Sequence, residues 1–105
     1  MKPSLADLAI LTALTLAAPA TAANARNLRG AKYLPLARIT LAKARAEAHK
    51  VRAGTITDQE IEKEKGGSGL RYSFDIRHRG KLYEVGIDAK TGAVLENRAE
   101  GPHPD

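Results

Sequence analysis

The stretch Leu70 to Leu95, LRYSFDIRHRGKLYEVGIDAKTGAVL, decides the fold. Apolar and polar residues alternate through it, which is the period of strands with one buried face. Leu70, Tyr72, Phe74 and Ile76 fall on one face, and Arg71, Ser73, Asp75 and Arg77 on the other. Tyr83, Val85 and Ile87 continue the apolar face, with Glu84, Gly86 and Asp88 opposite. If Arg79-Gly80 is a two-residue hairpin loop, His78 faces Lys81, Ile76 faces Tyr83, Phe74 faces Val85 and Tyr72 faces Ile87. Every apolar residue then meets another, and a slip of one residue would turn a strand's apolar set to water. Arg79 suits a primed turn less well than Asn or Asp, so a longer loop is the alternative there. On the polar face the same register sets Arg71 against Asp88, a favourable pair, and Asp75 against Glu84, an unfavourable one. Asp88-Ala89-Lys90-Thr91-Gly92 predicts the second turn, with Gly92 where a positive φ is needed.

Just upstream, Gly66-Gly67-Ser68-Gly69 reads as a flexible loop, preceded by the charge-dense TITDQEIEKEK of Thr55 to Lys65. Its composition could pass for helix. Yet Gln59, Ile61 and Lys63 on one side, with Glu60, Glu62 and Glu64 on the other, suit an edge strand whose charges discourage aggregation. Ile56 and Ile61 have opposite parity, which predicts a bulge near Asp58. If the glycine loop closes a hairpin, Lys65 faces Leu70, Glu64 faces Arg71, Ile61 faces Phe74 and Glu60 faces Asp75. Glu60, Asp75 and Glu84 would then form a row of acids across the exposed face. A cation or a basic partner group could neutralise it, but a solvated row screened by Arg77 and lysines is the plainer reading. Calcium or magnesium would need more oxygen ligands than this row supplies.

Before that strand, Thr40 to Val51 is the one convincing helix downstream of the N-terminal region. Thr40 can cap it, and Ala42, Ala44, Ala46 and Ala48 favour it. Leu41, Ala44, Ala48 and Val51 form the inward stripe, with Ile39 beside it, while Lys43, Glu47 and Lys50 face water. Arg52 and Gly54 close the helix with a cation and a glycine. His49 reads as a helix-end cation rather than a ligand.

Further out, Met1 to Ala22 has the form of a secretory signal peptide: Lys2, an apolar run from Leu8 to Ala18, and the small-x-small Ala20-Thr21-Ala22. Residues 23–35 read as a basic flexible linker, able to touch an anionic membrane surface weakly. Residues 98–105, with two prolines, read as a flexible tail. The 105 residues carry a net charge of +5 and no cysteine, which bounds the chain to one small domain without disulfides or thiolate metal sites. The charge is uneven. Residues 26–52 hold eight Lys or Arg against one acid, whereas residues 53–105 hold eight against ten. The basic segment lacks interleaved aromatics, so nucleic acid is not an expected partner.

Catalysis finds no support in the sequence. There is no His-Glu-x-x-His, no phosphate loop and no nucleophile elbow, and His49, His78 and His103 are scattered. No base is placed to activate Ser73. No cofactor is expected.

The run from Gly54 to Asn97, with the Ala-rich helix LAKARAEA before it, the acidic strand EIEKE, the aromatic strand RYSFDI and the closing YEVGIDAKTGAVLE, resembles a single small exported PepSY domain. The resemblance covers residues 36–97. Where the family often has Pro-Gly after the helix, this chain has Val51-Arg52-Ala53-Gly54. The resemblance implies an α+β fold, one helix on a four-stranded antiparallel meander, and a periplasmic or secreted location. It also implies a non-enzymatic module that regulates or inhibits a peptidase or another envelope protein. It carries over no catalytic or ligand residues. The expected contact surfaces are the edge strand, through Glu60, Glu62 and Glu64, and the open sheet face, through Ser73, Leu82 and Gly86. Leu95 is a further outward candidate on that face. A monomer is expected. The alternative function is a small-ligand or divalent-cation sensor built on Glu60, Asp75 and Glu84.

Overall fold

A computed structural model describes residues 27–101. Helix α1 (Leu41–Val51) precedes four strands, β1 (Thr55–Lys63), β2 (Leu70–His78), β3 (Lys81–Asp88) and β4 (Val94–Ala99). They form one antiparallel sheet in the order β1-β2-β3-β4, and α1 packs on one face of it. The fold is α+β, as the alternation predicts. The expected signal peptide at residues 1–22 lies outside the described residues.

The β2–β3 register is the one that apolar pairing selects: Phe74 lies opposite Val85, Tyr72 opposite Ile87 and Ile76 opposite Tyr83. Arg79 at φ 52 and Gly80 at φ 78 are both left-handed, the requirement of a type I′ turn. Tyr72, Phe74, Ile76, Val85 and Ile87 are wholly buried with Ile61, beneath Leu41, Ala44 and Ala48 of α1. The alanines let the helix lie close. Thr40 caps it, its Oγ1 accepting from the Lys43 amide at 3.0 Å. Val51, expected on the inward stripe, is exposed, because it is the last residue of α1. The Arg52 guanidinium that follows instead covers the Tyr83 ring at 3.9 Å and donates to Asn97 Oδ1.

Four further features depart from the sequence reading. First, β1 pairs with β2 two residues away from the expected register. Ile61 faces Tyr72, Glu62 faces Arg71 and Asp58 faces Asp75. A two-residue slip leaves every side chain on its own face, so alternation cannot exclude it. The bulge does fall between Ile56 and Asp58. Second, the expected flexible linker is built structure from residue 27 onward. Leu28 joins the core, Arg29 bridges to β1 in parallel, and Ala31–Leu36 forms a 3-10 helix against β1. Third, the chain past residue 97 remains paired: β4 runs to Ala99, and the Glu100 amide donates to Leu82 O. Fourth, Arg71 and Asp88 face each other but do not bond. The Asp88 carboxylate is engaged by the turn, and Arg71 turns to Glu96.

Candidate partner-binding surface

Asp88, at the end of β3, organises one end of the sheet. It is 1 % exposed, and its carboxylate accepts from the Ser68 amide, Ser68 Oγ and the amides of Lys90 and Thr91, at 2.6 to 3.1 Å. Burial alone would push its pKa up; these donors outweigh burial and hold it at about 2. Next to it, the Ala89 amide donates to Leu70 O, and Ala89 O accepts from the amides of Arg38 and Ile39. One dipeptide therefore fastens the glycine loop, the last turn and the entry to α1. Gly92 adopts φ 84, as the turn requires.

The face of the sheet away from α1 is polar. Its centre is plugged by Arg71, 8 % exposed, whose Nη1 lies 3.4 Å from Glu96 Oε1 and whose Nη2 donates to Lys65 O. The guanidinium occupies the space a side chain at residue 86 would fill: a Cβ on Gly86 would stand 3.2 Å from Arg71 Nη1. Gly86, expected to leave an opening for a partner, is therefore buried under Arg71. Ser73 donates to Glu62 Oε2 at 2.8 Å, so two further candidates satisfy each other. Leu82 is half-buried on this face, and Glu64 is exposed in the loop after β1. Leu95 is half-buried beside Gly67 rather than turned fully to water.

The acid row forms, but with a different first member. Asp58, not Glu60, faces Asp75, which faces Glu84, which faces Arg98. Glu60 faces Ser73 and pairs with Arg29 at 3.1 Å. Asp58 is neutralised too: Arg29 donates to both its oxygens, at 2.7 and 3.2 Å, and lowers its pKa. Asp75 is not. Burial, then the neighbouring Glu100 carboxylate, push it up to about 6. Glu84 is also raised, by burial and by Glu96, against the pull of Arg98. Among the described residues no group of acids and histidines has the arrangement of a metal site.

The PepSY family model, described as peptidase propeptide and YPEB domain, matches residues 38–98. The chain belongs to the PepSY family. No curated protein and no solved structure matches it. The PepSY match spans α1 and the strands up to Arg98 in β4, and leaves out residues 27–37, so the segment bridging β1 lies ahead of the matched region. The elements of this PepSY domain were legible in sequence. The roles of Arg29 and Arg71 were not, because each depends on a contact across the sheet or to a distant segment. Among the described residues of the PepSY chain no helix is long and apolar enough to cross a membrane.

Proposed function

We propose that this chain is an exported, non-catalytic PepSY module that binds a peptidase or another extracytoplasmic protein and regulates or inhibits it. The observation that carries the reading is the sheet face turned away from α1, over which no described helix or strand lies. Core and helix stabilise one side, while the other presents Asp75, Glu84 and Glu100 with fewer cations than carboxylates around them. Like charges held together cost free energy that a basic surface would relieve on contact. The family's association with peptidase propeptides supports a protein as the partner. Half-buried charges of this kind steer association and choose partners more than they add affinity.

The test is to titrate the purified chain into a panel of extracytoplasmic metallopeptidases, thermolysin-type enzymes included. Saturable inhibition that weakens at high salt and is lost on replacing Asp75 and Glu84 by Lys supports the reading. Neither inhibition nor association across the panel would overturn it.

A further inference from the structure

The outer edge of β1 is the expected acceptor for an added strand, yet its centre is already taken. Leu28 to Gly30 lies along it in parallel, through two backbone bonds: Arg29 N to Gln59 O at 3.1 Å and Ile61 N to Arg29 O at 2.9 Å. Each of the three residues is held by a different chemistry. Leu28 is 7 % exposed and enters the core cluster. The Arg29 guanidinium spans Asp58 and Glu60. Gly30, at φ 78, passes so close to the Ile61 carbonyl oxygen that a Cβ would collide with it. β1 begins at Thr55, and a polar groove of about 420 Å³ opens along Ile56, Thr57, Asp58 and Gln59, with Asn27 and Arg45 completing its walls.

We propose that the β1 edge accepts an extended segment of another protein carrying the order aliphatic–Arg–Gly, and that residues 28–30 are an internal stand-in which such a segment displaces. The opening filled by Leu28 takes the aliphatic side chain. Asp58 and Glu60 select a guanidinium at the next position, and the Ile61 carbonyl admits only glycine at the third. A segment of another protein makes the same contacts through backbone bonds to the β1 edge, which is strand addition to a sheet. Arg29 is 59 % exposed, so its ion pairs set register and choice rather than strength. Because the strap is attached to the domain, its effective concentration is high, and loosening it exposes the edge. The cellular use of this edge rests on the partner-binding role proposed above; the contact itself does not require a peptidase.

Gly30→Val in the full chain pushes the strap off the edge. A fluorescent peptide of sequence Asn-Leu-Arg-Gly-Ala-Lys, titrated by anisotropy, reads the vacated site. The Gly30→Val chain should bind it at least tenfold more tightly than the unaltered chain. A peptide with Glu in place of Arg should bind the same variant at least tenfold more weakly. Equal binding by the two chains, or of the two peptides, would overturn the proposal. So would a Gly30→Val chain that dimerises in sedimentation and takes up no peptide, since the strap would then exchange between copies. If Gly30→Val gives no dispersed amide spectrum, Arg29→Glu, which meets only solvent-facing carboxylates, replaces it with the same supporting and overturning outcomes. Only chain and peptide are present, so a failure here leaves the peptidase assay standing, and the reverse holds.

Discussion

Asp88 and Asp75 are the same side chain in opposite surroundings. Asp88 is the more deeply buried, yet its pKa falls to about 2, because four donors converge on it. Asp75 is only half-buried, yet its pKa climbs to about 6, because burial is joined by the charge of the Glu100 carboxylate and by a hydrogen bond to it. The difference teaches that burial alone does not decide what an acid contributes. At Asp88 the charge is used internally and fastens three segments. At Asp75 the charge is disfavoured, and the carboxyl is held against that of Glu100 instead of being fastened by donors.

The largest expected break in this contrast is Asp88→Ala. It leaves the Ser68, Lys90 and Thr91 amides without their acceptor, and should cost about 3 kcal/mol in urea denaturation. In the unaltered chain the contribution of Asp88 is present above its unfolded value of 3.8 and is lost as pH falls through about 2. Ser68→Ala removes one donor, Oγ at 2.8 Å, and should cost about 1 kcal/mol and raise the Asp88 pKa. Asp75 has the opposite sign. Its folded pKa lies above its unfolded one, so the stability it contributes is full below pH 3.8 and is lost as pH rises through about 6. Asp75→Asn should therefore leave stability unchanged near pH 4 and raise it at pH 8 by about 0.5 kcal/mol, a value reduced for solvent screening. Smallest of all is the effect of calcium. With Glu60 paired to Arg29 and Asp58 satisfied, millimolar calcium should not shift the melting temperature measurably, and a clear rise would revive a cation role for the acid row.

What was legible in the sequence follows the same division. The β2–β3 register could be read because alternation on both strands and a two-residue turn leave one solution. Gly92 and Thr40 could be placed because each answers a local backbone demand. The β1 register could not, since a slip of two residues preserves every face, and this moved Glu60 out of the row and Asp58 into it. The strap at Leu28 to Gly30 was hidden for another reason. A single apolar residue among basic ones has no period, and its contacts lie some thirty residues downstream, with Asp58, Glu60 and Ile61. On the open face, Ser73 and Gly86 looked vacant because their neighbours' side chains, Glu62 and Arg71, could not be oriented from the sequence.

The contrast between the two acids is tested most directly by following the carboxyl carbon shifts of Asp75 and Asp88 by NMR between pH 1.5 and 8 in one sample. The structure predicts that Asp88 titrates at about 2, or not at all before unfolding, and Asp75 at about 6. Two curves that both turn near the ordinary carboxylate value of 3.8 would contradict it, and with it the contrast between an acid fastened by donors and one crowded by a second carboxylate.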